Sequence, residues 1–210
     1  MKNFFIALLL TLTYWVYPAF AMEPVVDKDY KIVSQVSSVQ NEGKVEVLAF
    51  FWYGCPHCSD FEKVLEPWIA KQSKDVTIRR IPVAFNEQLL VHTRLYYTLE
   101  AMGKVNALHE KLFQTLQKDY RHFMKVEDIT NWAEKNGLNR EQFRATFDSF
   151  GVTTKVNEAK KITEEFRIES VPAVIVQGKY LTSPAITNGS KERTIDVLDW
   201  LIKKSRDKRR

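Results

Sequence analysis

The sequence predicts an α/β protein in which a block of helices interrupts a small sheet. Short apolar runs that are typical of buried strands occur at residues 45–53, 76–83 and 173–176. Between the second and third of these runs, the apolar residues recur only at helical spacing. The order of elements is therefore strand, strand, helix, strand, a helical block, two strands and a last helix.

The first part of the chain contains three predicted strands and one helix. Residues 30–36 alternate weakly between apolar and polar, which predicts a short edge strand. Residues 45–53 (VEVLAFFWY) predict the central strand, and residues 76–83 predict its neighbour. Between them, residues 55–72 have a helical apolar stripe, and Pro67 inside this stripe predicts a kink.

The middle and the end of the chain are mainly helical. Helices are predicted at residues 87–102, 105–117, 126–136, 139–147 and 153–166. Gly137 suits a helix C-terminus, and Asn139 and Gln142 have the spacing of a capping box. Residues 173–176 and 180–181 then predict two strands joined by a turn, and residues 192–204 predict the closing helix.

These elements predict a discontinuous outer domain with an insertion. Residues 22–85 and 151–210 form the outer α/β domain, and residues 86–150 form the inserted helical domain. Residues 1–21 are typical of a secretory signal, with a basic start, an apolar stretch and Ala19-Phe20-Ala21 as a cleavage site. The alternative, an uncleaved membrane anchor, is less favoured because the apolar run is shorter than the ~20 residues that span a bilayer.

Composition and charge are those of an ordinary globular protein. The chain is 45% hydrophobic and carries a formal net charge of +5, much of which lies in the last eight residues, KKSRDKRR. These residues could bind anionic partners, but a frayed, solvated terminus is the favoured interpretation. We expect no nucleic-acid partner.

The chain has two cysteines, Cys55 and Cys58, in a Cys-x-x-Cys motif between the predicted central strand and the first helix. Unpaired N–H groups and the dipole at a helix N-terminus stabilise an anion, which favours the Cys55 thiolate. A disulfide that closes so small a ring stabilises a fold very little. In an oxidising compartment, this pair therefore predicts a redox-active disulfide.

The two residues inside the motif favour the same chemistry. Pro56 fits the first helical turn, where its missing N–H costs no hydrogen bond. His57 places a potential cation and an N–H donor beside the Cys55 sulfur. Both features stabilise the reduced form, and a protein with a stabilised reduced form is a strong oxidant.

Two other classes of function remain alternatives. A metal site would need further ligands, and His92, His109 and His122 do not have suitable spacing. These histidines are expected to be solvated or hydrogen-bonded in the core. A peptide-binding module with an incidental disulfide would leave the thiolate-favouring position of Cys55 without a purpose.

The chain resembles the DsbA family of periplasmic disulfide oxidoreductases. The matching residues are FF-x-x-x-CPHC, which ends at Cys58 and is followed by Phe61 and Glu62, and VPA-x-x-V-x-GKY, which begins at Val171. The resemblance implies a thioredoxin-like fold with an inserted helical domain, in which Cys55 attacks and Cys58 resolves. It also implies a cis Val171–Pro172 bond beside the cysteines, where the backbone pairs with an extended client strand.

The resemblance also implies partners and a location. The clients would be unfolded exported proteins in the periplasm, and a membrane quinone-linked protein of the DsbB type would reoxidise the dithiol. No cofactor beyond the Cys55–Cys58 disulfide is expected. An oxidase is favoured over an isomerase or reductase, because features that lower the Cys55 pKa stabilise the reduced site. Isomerases of the DsbC type also carry an N-terminal dimerisation domain that would not fit before the first core strand, and a monomer is favoured.

One position departs from the family pattern. Family members often have a buried acid where this chain has Ala49, and often have Lys where it has Arg80. Glu46 lies three residues before Ala49 on the same strand, so it should face the opposite side of the sheet. Proton transfer to and from Cys58 would then need water or another group.

Overall fold

A computed structural model describes residues 23–33 and 43–207 and has the predicted α/β architecture. The strands form one sheet with the order β1-β5-β4-β2-β3. The strands are β1 (Lys31–Ile32), β2 (Val45–Phe51), β3 (Val76–Pro82), β4 (Ala173–Val176) and β5 (Tyr180–Thr182). The helices are α1 (Pro56–Ile69), α2 (Leu90–Ala101), α3 (Val105–Asp119), α4 (Val126–Lys135), α5 (Arg140–Phe147), α6 (Phe150–Glu165) and α7 (Lys191–Asp207).

Strand β2 is the centre of the sheet, and all of its residues are buried. It runs parallel to β3 and antiparallel to β4, and β5 pairs antiparallel with β4 and β1. Successive side chains of a strand face opposite sides, so Val47 and Ala49 enter one apolar cluster while Leu48 and Phe50 enter the other. Helices therefore cover both faces of the sheet.

The two layers have different origins in the chain. Apolar residues of α1 and α7 pack on the Val47 face of the sheet. Helices α2 and α6 pack against the opposite face, where the cluster continues through α3, α4 and α5. Both cysteines belong to this second cluster, at the point where β2 ends and α1 begins. The inserted helices are thus confirmed, while the boundaries of the two domains remain a prediction.

Two predicted helix boundaries were wrong. The helix expected over residues 87–102 is divided, because Asn86 caps a short 3-10 helix, Glu87–Leu89, before α2 starts. Helix α6 begins at Phe150, because the Ser149 hydroxyl accepts a hydrogen bond from the Val152 N–H. The helix expected from residue 153 is therefore longer by almost one turn.

The expectation of a frayed basic terminus was wrong for residues 203–207. Helix α7 extends to Asp207, where Ser205 is buried and Arg206 binds the Asp75 carboxylate at 2.7 Å. These contacts hold the last turn against the rest of the fold. Residues 208–210, the predicted signal at residues 1–21 and residues 34–36 of the predicted edge strand lie outside the described residues.

The position of Pro67 agrees with the predicted first helix, which continues through this residue to Ile69. The predicted kink remains a prediction. Within residues 23–33 and 43–207, no helix combines the length and apolar character that crossing a bilayer requires.

Candidate active site

Cys55 is the N-terminal cap of α1, as its place in the sequence predicted. Its backbone is extended, with φ −88° and ψ 115°, and Pro56 occupies the start of the helix. The Cys58 N–H lies 3.4 Å from Cys55 Sγ, so the sulfur accepts a hydrogen bond from the first turn. A sulfur in this position is stabilised as an anion by the N–H groups that the helix leaves unpaired.

The Val171–Pro172 bond is cis, as predicted, and lies beside the cysteines. Cys55 Sγ lies 3.4 Å from the Val171 carbonyl oxygen. Pairing of β4 with β2 brings this loop to the site, because Ala173, the residue after Pro172, is opposite Phe50. The two sequence motifs of the site, more than a hundred residues apart, are therefore in contact.

The two thiols differ strongly in acidity. Hydrogen bonding from the Cys58 thiol lowers the pKa of Cys55 from 9.0 to about 6, against the opposing effect of burial. Backbone N–H groups of His57 and Cys58 lower it further. Burial raises the pKa of Cys58 far above its usual value, and the hydrogen bond to Cys55 raises it more. Cys55 is thus a thiolate at neutral pH and Cys58 a thiol.

Both cysteines are largely covered by the rest of the protein. Only 9% of Cys55 is accessible, compared with 2% of Cys58. Cys55 Sγ contacts the Val171 carbonyl oxygen and the Cys58 N–H at the start of α1. Both cysteines are free thiols.

His57 contributes less to the thiolate than its sequence position indicated. Its side chain is exposed, and its charge lowers the pKa of Cys55 less than the hydrogen bonds from the Cys58 thiol and the helix backbone do. Water surrounds an exposed imidazole and weakens its attraction to the sulfur.

Two buried histidines support the site, and the sequence analysis gave them no role. His92 Nδ1 accepts from the Trp52 indole N–H at 3.0 Å, and its Nε2 lies 3.1 Å from the Phe123 carbonyl oxygen. Burial lowers the pKa of His92 to about 4, so the ring is neutral and holds Trp52 in one orientation. His109 Nδ1 lies 2.7 Å from the Tyr53 hydroxyl. No sequence signal linked these residues, because the contacts join distant elements.

A buried charged group lies next to Cys58. The Arg80 guanidinium contacts the carboxylates of Glu62 and Glu66, and His109 Nε2 lies 3.5 Å from Glu62 Oε1. The sequence contained one signal for Glu62, since it lies four residues after Cys58 and so on the same helix face. Glu46 faces the opposite side of the sheet, as predicted, where it pairs with Arg79.

The described residues offer no ligand set for a metal. Within residues 23–33 and 43–207, no group of three or more His, Cys, Asp and Glu side chains could hold an ion. The metal-site alternative therefore gains no support from the geometry.

Comparison with known proteins gives consistent matches over most of the chain. The family model described as Thioredoxin matches residues 40–197. The thiol:disulfide interchange protein DsbA of Burkholderia cepacia is 36% identical over 187 residues, which cover 89% of this chain and 88% of that protein. The protein of the same name from Pseudomonas syringae pv. tomato is 35% identical over 208 residues, covering 98% and 97%.

Solved structures also match over most of the chain. The crystal structure of Pseudomonas aeruginosa DsbA aligns with a TM-score of 0.80 and 33% identity, covering 86% of this chain and 93% of that one. The oxidoreductase NmDsbA1 from N. meningitidis aligns with a TM-score of 0.78 and 26% identity, covering 88% and 95%.

Alkylation of the reduced protein should label Cys55 before Cys58. Because the thiolate is the nucleophile and the pKa of Cys55 is about 6, the rate should rise with pH through about 6 and then level off. Mass spectrometry of peptides after timed iodoacetamide treatment measures this. His57→Leu should raise the midpoint only slightly, because the hydrogen bonds from Cys58 and the backbone remain. Faster labelling of Cys58 would contradict the assignment.

The reduced protein should melt at a higher temperature than the oxidised protein. Folding lowers the pKa of Cys55 from 9.0 to about 6, so the thiolate contributes stability that is full near pH 9 and is lost as pH falls through about 6. Above pH 9 the advantage should shrink again, because the buried Cys58 resists ionisation. Calorimetry of both forms from pH 5 to pH 10 measures the difference. A higher melting temperature for the oxidised form would indicate a structural disulfide.

Proposed function

Because the chain belongs to the DsbA family of thiol:disulfide oxidoreductases, we propose that it donates the Cys55–Cys58 disulfide to newly exported proteins in the periplasm. Protein thiol–disulfide exchange is the activity of the family. The proposal concerns the residues that perform it here, the direction of transfer and the partners.

The observation that carries the proposal is the difference in acidity between the two sulfurs. A client thiolate attacks Cys55, the disulfide opens, and Cys58 leaves and gains a proton. A second client thiol then attacks the mixed disulfide and releases Cys55 as a thiolate, which the low pKa makes a good leaving group. Both electrons pass to the protein, the client becomes a disulfide, and the site becomes a dithiol.

The Val171 carbonyl provides a means to bind clients of many sequences. It lies 3.4 Å from Cys55 Sγ, at the end of a loop that leads into β4. An extended client segment that pairs with this backbone depends on main-chain groups, which every sequence has. Trp52, three residues before Cys55, is half-buried and adds apolar surface beside the motif.

Reoxidation requires a second partner. The dithiol must return two electrons to an oxidant, and a quinone-linked membrane protein of the DsbB type fits this role. Export through the apolar N-terminal segment would bring the protein to the compartment in which such a partner works.

The direction of transfer is tested by equilibrium with glutathione. The folded state favours the reduced site. At a GSH:GSSG ratio that leaves structural disulfides intact, the Cys55–Cys58 disulfide of the purified protein should therefore be reduced. Alkylation and gel separation at a series of GSH:GSSG ratios measure the fraction reduced. A strongly reducing potential, as in a thioredoxin-type reductase, would overturn the proposed oxidase.

Replacement of the resolving thiol should trap clients. Cys58→Ser removes the thiol that would attack Cys55 and release the client from the mixed disulfide. Complexes with exported proteins should therefore accumulate. Non-reducing gels of periplasmic extracts, with Cys55→Ser as the matched control, detect them. The absence of complexes with Cys58→Ser, or equal amounts with both variants, would contradict the assigned roles.

A further inference from the structure

The chain passes from β2 to Cys55 through residues 52–54, which we call the active-site turn. The Cys55 N–H donates to the Trp52 carbonyl oxygen at 3.0 Å, which closes a tight turn of four residues. Cys55 then caps α1, with its sulfur 3.4 Å from the Cys58 nitrogen. The position of the active-site turn therefore sets where the Cys55 sulfur lies relative to the N–H groups that stabilise its thiolate.

Side chains from the inserted helices bind both large residues of the active-site turn. His92 of α2 accepts from the Trp52 indole N–H at 3.0 Å. On α3, the Gln117 side-chain amide donates to the Tyr53 carbonyl oxygen at 2.8 Å, and His109 lies 2.7 Å from the Tyr53 hydroxyl. Two helices of the insertion therefore hold the backbone and the side chains that precede the reactive cysteine.

His92 is itself fixed in one orientation and one protonation state. Only 1% of it is accessible, and burial lowers its pKa to about 4, so the ring is neutral. Because Nδ1 accepts from Trp52, the hydrogen of the neutral ring is on Nε2, which donates to the Phe123 carbonyl oxygen at 3.1 Å. Both ring nitrogens are thus engaged, and the direction of the Trp52 indole is determined.

The indole also lies directly against the backbone that leads into the helix cap. A Cβ atom at Gly54 would be only 2.3 Å from Trp52 Cζ2, so only glycine leaves room for the ring at this residue. Gly54 immediately precedes Cys55. Any movement of the indole is therefore transmitted to the backbone of the residue that carries the reactive sulfur.

We propose that His92 and Gln117 are positioning residues for Cys55, which hold the active-site turn so that the sulfur stays within hydrogen-bond distance of the first turn of α1. The inference deepens the thiol–disulfide exchange proposed above. Each residue acts through the turn and forms or breaks no covalent bond. A displacement of about 0.5 Å is enough to impair a functional site, because hydrogen bonds weaken with distance and misalignment.

The oxidising strength of the protein then depends on the inserted helices. A looser turn stabilises the Cys55 thiolate less, so the pKa of Cys55 rises from about 6 toward 9.0. The reduced site becomes less favourable, and the protein becomes a weaker oxidant. A residue that only stabilised the fold would change the melting temperature but neither of these two quantities.

The first test removes the contact to the turn backbone. Gln117→Met keeps the length of the side chain but removes the donor to the Tyr53 carbonyl oxygen. The midpoint of Cys55 thiolate titration, followed by ultraviolet absorbance, should rise by about half a unit, and the equilibrium constant for reduction by glutathione should fall about 3-fold. Gln114→Met is the matched control, because Gln114 lies on the same helix and its amide donates to the Glu110 carboxylate at 3.1 Å. It should leave both quantities unchanged.

The second test removes the contact to the turn side chain. Trp52→Phe keeps an aromatic ring beside Gly54 but removes the N–H that binds His92, so the midpoint should rise in the same direction. Adding His92→Leu to this variant should produce no larger shift, because the two residues act through one contact. Trp132→Phe is the matched control, since it removes an indole N–H that donates to the Thr115 hydroxyl at 3.2 Å within the same group of helices.

The comparison of the pairs separates positioning from stability. Trp132→Phe should leave the Cys55 midpoint unchanged whatever its effect on the melting temperature. Unchanged midpoints in both Gln117→Met and Trp52→Phe, or equal shifts in their controls, would overturn the proposal. Failure of the unaltered protein to exchange with glutathione would instead refute the proposed function, and the thiolate titration does not depend on that reaction. The two failures are therefore distinguishable.

Discussion

The active site depends on one arrangement, in which Cys58 and the first turn of α1 donate hydrogen bonds to the Cys55 sulfur. This arrangement requires the chain to leave a fully buried strand and enter a helix within a few residues. Cys55 then caps the helix with sulfur instead of a hydroxyl or carboxylate oxygen. The same turn places Cys58 inside the apolar core, so the hydrogen bonds that stabilise one thiolate also hinder ionisation of the other.

The sheet brings the second half of the site to the cysteines. Strand β4 pairs with β2 so that the Val171–Pro172 loop ends beside Cys55, and Pro172 lines the same small cavity as Cys58. Reactivity here therefore comes from acidity and from a backbone surface for the client, and not from wide exposure of the thiol. The inserted helices add rigidity from the other side, where a neutral His92 holds Trp52 through its indole N–H.

The charged group under Cys58 combines three separate elements. Glu62 comes from α1, Arg80 from β3 and His109 from α3, and together they occupy the region beside the small side chain of Ala49. A buried carboxylate is stable only with charged or hydrogen-bonding partners, and Arg80 and His109 supply both. Ala49 on β2 provides no acid beside Cys58, and the carboxylate that lines the same small cavity comes from Glu62 on the neighbouring helix.

The sequence by itself determined the α/β class, the helical insertion, the redox motif and its place at the N-terminus of α1. These follow from short-range patterns: apolar periodicity, the Cys-x-x-Cys spacing, and Pro56 at the start of a helix. The position of Glu62 one turn after Cys58 was also visible in the sequence. Tertiary structure alone decided that Cys55 is mostly covered, that the charge of His57 matters less than the hydrogen bonds from Cys58, and that His109 meets Glu62. Accessibility, local dielectric and contacts between distant elements arise only when β3, β4 and α3 pack around the motif, so no local pattern in the sequence records them.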